Sequence, residues 1–273
     1  MSYREPITPL FVPADRPDRF SKAVTCGADA VIVDLEDGVS PERKDSARDA
    51  LPKALGLGVP VFVRINPIFS QWYEADVAAL RQLPFENIML PKAESDAEIE
   101  SLQSDIGQRN VVPLIETAKG LSEVASIART PGVRQFAFGP ADYALDLGIT
   151  PNPDAFSFAL ASLAVVSRAA GLFRPLDGPS FDIEAGELLR AEIGRARRLG
   201  AGGKLCIHPR QVAAVRRGFG PSREEILWAR EVIAAAQGEG AQSVAGKMVD
   251  RPILERARLV LRQDALSNEG RSS

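Results

Sequence analysis

The chain has 273 residues, 45% hydrophobic, 25% charged and 6% aromatic, a balance that suits one large globular domain or two small ones and excludes a disordered or fibrous protein. Lys and Arg number 33 against 36 Asp and Glu, a formal charge of −3, so no basic field exists to hold nucleic acid or an anionic membrane surface. Cys26 and Cys206 sit in apolar stretches and imply no disulfide framework, and no uncharged run approaches the ~20 apolar residues of a bilayer crossing. The first six residues lack the apolar core of a secretory leader and the Arg/Ser pattern of a transit peptide. These features lead to the expectation of a cytoplasmic protein.

Eight short β-branched runs follow one another: Leu10 to Val12, Ala30 to Leu35, Val59 to Ile65, Asn87 to Leu90, Val111 to Ile115, Gln135 to Phe138, Leu172 to Leu176 and Lys204 to Ile207. Most are continuously apolar, as strands covered on both faces are. The segments between them read as helices. Ser95-Asp96-Ala97-Glu98 and Ser222-Arg223-Glu224-Glu225 have capping-box form, and Ser40-Pro41 sets a capping residue before a proline suited to a first helical turn. A polar residue closes most runs (Asp37, Arg64, Glu94, Glu116, Asp142, Asp177, His208) at intervals of 22 to 35 residues, the length of a strand-helix unit. Eight such units favour a closed (β/α)8 TIM barrel over an open doubly wound sheet, whose edge strands should look less apolar on one face. The predicted barrel occupies residues 1–220. Residues 221–273 form a helical extension with amphipathic segments from Ser222 to Gln237 and from Asp250 to Leu266, separated by Gly238-Glu239-Gly240. This extension could pack on its own barrel or reach a neighbouring subunit.

Barrel strands deliver their last residues to one mouth, so the charges that end the runs are the candidate site. Glu116 and Asp142 close neighbouring units with no Cys or His beside them, a hard, oxygen-only pair that suits Mg²⁺ completed by water and substrate oxygens; each acid could instead cap the helix that follows it. Arg64 places a fixed cation at the same mouth, able to grip a carboxylate or stabilise an oxyanion, or to pair with Glu36 or Asp37. Three acids crowd Asp34-Leu35-Glu36-Asp37, and Arg64 or a metal-bound water would relieve their repulsion. His208, the single histidine, has no triad partner and is at most a wall of the pocket. Lys92 has the position of an imine-forming lysine, but nearby acids would raise its pKa, which favours metal assistance. Neither a dinucleotide-binding nor a P-loop glycine motif occurs.

At these residues the sequence resembles the citrate lyase β-subunit-like branch of the HpcH/HpaI aldolase superfamily. The matching segments run in family order: Leu10-Phe11-Val12-Pro13-Ala14-Asp15-Arg16-Pro17-Asp18-Arg19-Phe20, Asp34-Leu35-Glu36-Asp37-Gly38-Val39, Val63-Arg64-Ile65-Asn66, Met89-Leu90-Pro91-Lys92-Ala93-Glu94, Leu114-Ile115-Glu116-Thr117-Ala118-Lys119-Gly120, Phe138-Gly139-Pro140-Ala141-Asp142, Gly203-Lys204-Leu205-Cys206-Ile207-His208-Pro209 and Gly246-Lys247-Met248-Val249-Asp250.

The resemblance implies a TIM barrel, Mg²⁺ (with Mn²⁺ as a substitute) on Glu116 and Asp142, and Arg64 at the reacting carbonyl or carboxylate with the acids Glu36 and Asp37 beside it. It also implies an acyl-CoA thioester as substrate and a small keto acid as product. Arg16 and Arg19 fall where the family places the CoA phosphates. Phe11, Lys204 and His208 lie in matched segments around the substrate, and Pro140-Ala141 stands where a Ser-Val type pair is more usual. Asp250 matches the acid that exchanges a proton with the thioester's α-carbon from an adjacent subunit of a homotrimer. The implied reaction is cleavage of citramalyl-CoA or malyl-CoA to pyruvate or glyoxylate plus acetyl-CoA. A citrate lyase β-subunit, a pyruvate-type aldolase and a non-catalytic ligand-binding barrel are the alternatives.

Overall fold

Side chains alternate in direction along each apolar run, one set facing a central lumen and the other the surrounding helices, so that the strands are buried on both faces. The computed structural model describes residues 3–236, 243–244, 247–248 and 250–269. Eight parallel strands appear in chain order: β1 (Pro9–Pro13), β2 (Ala30–Asp34), β3 (Val61–Arg64), β4 (Asn87–Leu90), β5 (Asn110–Ile115), β6 (Ala137–Phe138), β7 (Leu176–Asp177) and β8 (Gly203–Lys204). Each pairs with its sequence neighbours. The seam between last and first is sealed by Lys204 N–H to Ile7 O at 3.0 Å, Cys206 N–H to Pro9 O at 2.9 Å and Phe11 N–H to Cys206 O at 2.9 Å. A Cβ at Gly203 would lie 2.6 Å from Ile7 O, so the closing strands can approach only because this residue has no side chain. The architecture is the TIM barrel.

Between the strands run α1 (Phe20–Thr25), α2 (Lys44–Ala50), α3 (Tyr73–Arg81), α4 (Asp96–Ile106), α5 (Ala118–Ser122), α6 (Val124–Ile127), α7 (Pro140–Asp146), α8 (Pro153–Ala169), α9 (Glu187–Arg198) and α10 (Pro209–Phe219). The lumen is packed with Ala30 and Ile32, Phe62, Met89, Val112 and Leu114, Ala137, Leu176 and Leu205, with Tyr3 and Phe11 against them. It is a core and not a pore, as expected of an eight-strand barrel. Ser95 Oγ accepts from Glu98 N–H, but the Glu98 carboxylate reaches one residue further back, to Glu94 N–H at 2.7 Å. Ser40-Pro41 starts a short 3-10 turn, Pro41–Arg43, and the α-helix begins only at Lys44.

Only β4 keeps its expected limits, and in two of the others the cause of the shift is visible. The run Leu172 to Leu176 forms regular ladder only from Leu176, because Arg174 N–H goes to Glu5, Arg174 O accepts from Gln135 Nε2 at 2.6 Å, and Pro175 has no N–H. The run Lys204 to Ile207 ends early because Gln211 Oε1 draws off the N–H groups of Ile207 and His208.

The chain divides into two compact units, Met1–Arg216 and Arg217–Ser273. In the second, α11 (Arg223–Ala235) opens with a complete capping box between Ser222 and Glu225. Its Ala229 and Val232 pack on Ala257 and Val260 of α12 (Arg251–Glu269). Two short antiparallel strands, β9 (Ser243–Val244) and β10 (Lys247–Met248), lie between these helices in sequence. The Gly238-Glu239-Gly240 separator falls outside the described residues. Among the described residues no helix is long and apolar enough to cross a membrane.

Candidate active site

Register decides what stands at the mouth. Ile32 pairs with Phe62 and Asp34 with Arg64; since Ile32 and Phe62 point into the lumen, the period of two carries Asp34 and Arg64 to the same inner face one step above. Arg64 donates Nε to Asp34 Oδ1 and Nη2 to Asp34 Oδ2, both at 2.7 Å. Its Nη1 lies 2.8 Å from Glu36 Oε2, and the guanidinium carbon sits 4.6 Å over the Phe11 ring from β1. Burial works against the Arg64 charge, but Asp34 and Glu36 outweigh it and hold its pKa above the ordinary arginine value.

On the facing side, Glu116 follows β5 and is buried. Its Oε1 accepts from the Lys92 main-chain N–H at 2.8 Å. Lys92 has φ of 49° and is the one non-glycine residue with positive φ among those described, a conformation that costs energy and is retained where the surroundings require it. Its ammonium stands 3.4 Å from Glu36 Oε1 and 3.6 Å from Asp142 Oδ1. Asp142 lies in the first turn of α7. Gly139, after β6, lets Glu116 fold over the strand end: a Cβ there would land on the Glu116 carboxylate and 2.7 Å from its Cβ.

Four carboxylates (Asp34, Glu36, Glu116, Asp142) thus face two cations, Arg64 and Lys92. Burial, more than the excess negative charge, shapes the acidities of two of them. Burial, with Glu36 and Asp142 nearby, pushes the Glu116 carboxyl up to about 8. Burial also raises Glu36 to about 7, with Arg64 opposing. A divalent cation would relieve both, and the donors are all hard oxygens, the set that suits Mg²⁺. Among the described residues no group of three or more His, Cys, Asp or Glu can hold an ion, so an ion on Glu116 and Asp142 needs further oxygens from water and substrate.

A barrel with this mouth matches a known lineage. The family model of HpcH/HpaI aldolase/citrate lyase matches residues 8–209. The chain belongs to the HpcH/HpaI aldolase/citrate lyase family. Within that family it is 31% identical over 296 residues to the L-malyl-CoA/beta-methylmalyl-CoA lyase of Cereibacter sphaeroides, covering 93% of each chain. It is 32% identical over 281 residues to the mitochondrial citramalyl-CoA lyase of Homo sapiens, covering 91% of this chain and 82% of the human one. A crystal structure of the CitE protein of Mycobacterium tuberculosis in complex with magnesium, acetoacetate and coenzyme A superposes with a TM-score of 0.86 at 35% identity, over 96% of this chain and 98% of that chain.

The family motifs do not all meet at the mouth. Phe11, Arg64, Glu36, Glu116 and Asp142 are linked there by the contacts above. Pro140 is buried and Ala141 exposed in the first turn of α7, next to Asp142. Asp37 is exposed and acts on Arg64 and Glu36 only through its charge. Arg16 and Arg19 lie in the β1–α1 connection, Arg16 paired with Asp18 at 3.1 Å and Arg19 exposed.

Lys204 is turned away from the lumen. Out of phase with Leu205, it is 2% exposed, and its ammonium contacts Asp177 at 2.7 Å and Glu192 of α9 at 3.2 Å, so the sheet lies between it and the lumen and it has no path to a ligand at the mouth. His208 Nδ1 accepts from Arg210 N–H at 3.2 Å and caps the start of α10. In the second unit Asp250 is exposed and caps α12, its Oδ1 accepting from Ile253 N–H at 3.1 Å. The expected partners of Arg64 were Glu36 or Asp37; Asp34, its bidentate partner, was missed. The signal that could have found it is the two-residue phase Ala30, Ile32, Asp34.

Proposed function

We propose that the protein is a Mg²⁺-dependent carbon-carbon lyase that cleaves a β-hydroxyacyl-CoA of the citramalyl or malyl type to a keto acid and acetyl-CoA. The observation that carries this reading is the mouth itself: an arginine held in a fixed orientation by Asp34, beside four carboxylates of which two, Glu116 and Glu36, have pKa values raised chiefly by burial. The relatives support it through their named substrates, and the CitE complex through its magnesium, acetoacetate and coenzyme A.

In this reading Glu116 and Asp142 hold Mg²⁺, with Mn²⁺ able to replace it. The bound ion supplies Lewis-acid polarisation of the substrate's oxygens. Arg64, with Nε and Nη2 each donating to Asp34 and Nη1 in ion-pair contact with Glu36, presents its remaining N–H groups to the substrate carboxylate or to the oxyanion that develops as the bond breaks. Glu36 stands beside it with its acidity held near 7, the range a proton-exchanging group needs at neutral pH. Phe11 and Pro140-Ala141 wall the small keto acid, and Arg16 and Arg19 serve the CoA phosphates. As the C–C bond breaks, the substrate hydroxyl passes its proton to the Glu36 carboxylate beside Arg64, and the acetyl-CoA enolate takes one at its α-carbon from the carboxylic acid form of Asp250. Asp250 acts from an adjacent subunit of a homotrimer, and the enzyme works in the cytoplasm.

The deciding experiment incubates the protein with citramalyl-CoA, malyl-CoA and β-methylmalyl-CoA in Mg²⁺ and identifies the released keto acid. Cleavage of at least one, abolished by chelation and restored by Mg²⁺ or Mn²⁺, is expected. Full activity of metal-free protein, or no cleavage of any thioester, overturns the reading.

A further inference from the structure

On the helix side of the sheet, behind the mouth, one buried ammonium is held by neutral groups alone. Lys44, the first residue of α2, is 4% exposed. Its Nζ donates to Leu35 O at 2.6 Å, Glu36 O at 2.9 Å and Asn66 Oδ1 at 2.8 Å, and stands 4.8 Å over the Trp72 ring. None of its hydrogen bonds among the described residues goes to a carboxylate. Burying an ammonium on neutral acceptors is costly, and burial indeed pulls the Lys44 pKa below the usual lysine range against the opposing pull of Asp34 and Asp76. Packing alone would be served by an apolar side chain.

What the ammonium grips is specific. Leu35 and Glu36 immediately follow Asp34, and Asn66 lies two residues beyond Arg64. Leu35 N–H donates to Arg64 O at 2.9 Å, the rung that joins the two strand ends. Asn66 Nδ2 also donates to Leu35 O at 3.0 Å and to Asp76 Oδ2 at 2.7 Å, its main-chain N–H reaches the same Asp76 oxygen at 2.8 Å, and Arg48 takes the other at 2.8 Å. The chain Arg48, Asp76, Asn66, Lys44 therefore ends on the two carbonyls that flank the Arg64 ion pair.

We propose that Lys44 is a positioning residue for the reacting centre: by clamping the turn after β2 to the turn after β3, it fixes the bidentate Asp34–Arg64 pair and Glu36 in the orientation that aims the guanidinium at the substrate. The inference rests on the reading of Arg64 as the group that meets substrate.

The test measures kcat and KM for malyl-CoA and citramalyl-CoA, with thermal unfolding alongside, in Lys44→Met, Lys44→Arg, Arg64→Lys and the Lys44→Met/Arg64→Lys double variant. Lys44→Met should lower kcat roughly tenfold or more and leave KM within about threefold. Lys44→Arg, which can donate to the same acceptors and stack on Trp72, should recover to within about threefold of the parent. In the Arg64→Lys background, Lys44→Met should cost less than about threefold, because the two residues act through one group. Should Lys44→Met not fold, Lys44→Gln takes its place in the cycle. A lowered unfolding temperature with parental kcat, or fully additive losses, overturns the proposal and leaves Lys44 structural. Parental kcat/KM in Arg64→Lys would overturn the reading of the site itself, a result distinct from an impaired Arg64→Lys beside an unimpaired Lys44→Met.

Discussion

Arg64 and Asp34 face one another across paired strands with two parallel hydrogen bonds of 2.7 Å, the guanidinium fork matched to both carboxylate oxygens. Asp34 is buried and Arg64 keeps 12% of its side-chain exposure, so this pair sets the direction of the remaining N–H groups and removes the freedom a long side chain would otherwise keep.

Arg64→Lys keeps the charge and loses the fork. An ammonium cannot satisfy both Asp34 oxygens and still present two donors to a substrate, so kcat/KM should fall by about 10²-fold or more, mainly in kcat if the residue acts on the developing oxyanion and mainly in KM if it only anchors a carboxylate. Steady-state kinetics on the cleaved thioester decide it. A kcat/KM near that of the parent would leave Arg64 as a structural partner of Asp34 and Glu36.

Gly139→Ala adds a single methyl group where the Glu116 side chain lies. Overpacking of this kind costs on the order of 1–3 kcal/mol. It should also swing the Glu116 carboxylate out of place, so the variant should fold yet bind Mn²⁺ roughly tenfold more weakly, as read from the free-ion signal in electron paramagnetic resonance. Parental affinity would mean that Glu116 is not a ligand or can move without loss.

The raised pKa values of Glu116 and Glu36 give the metal-free protein a pH dependence of definite sign. Glu116 is pushed from 4.5 to about 8 and Glu36 from 4.5 to about 7, so between those limits the native state holds protons that the unfolded chain has released, and stability falls as pH rises. The contribution is complete below about pH 4.5 and is lost as pH passes through 7 to 8. Unfolding temperatures of chelated protein should decline across this window. Glu116→Gln should flatten the slope, and Mg²⁺ should restore stability most at the alkaline end. An unchanged slope in Glu116→Gln would show that the burden lies elsewhere.

Asp250 offers a test of assembly. If it serves the site of an adjacent subunit, mixing inactive Glu116→Ala with inactive Asp250→Ala under conditions of subunit exchange should restore part of the activity, since some interfaces would join an intact metal site to an intact acid. No recovery despite demonstrated exchange would confine Asp250 to its own chain, or to its visible task of capping α12.

The sequence by itself determined the barrel, because eight doubly covered strands at regular spacing leave few ways to bury their faces. It also determined that Arg64, Glu36, Glu116 and Asp142 stand at one end, because parallel strands put their last residues on the same side. It did not determine which of Asp34, Glu36 and Asp37 takes the guanidinium. Adjacent acids are equivalent in one dimension, and only the β2–β3 register turns Asp34 inward while leaving Asp37 exposed. The same phase rule places Lys204 among the acids behind the sheet, although its motif resembled a mouth residue. Lys44 was invisible for a related reason: its partners are main-chain carbonyls and the Asn66 amide, groups whose meeting depends on how two turns close in space and not on the residue types that spell them.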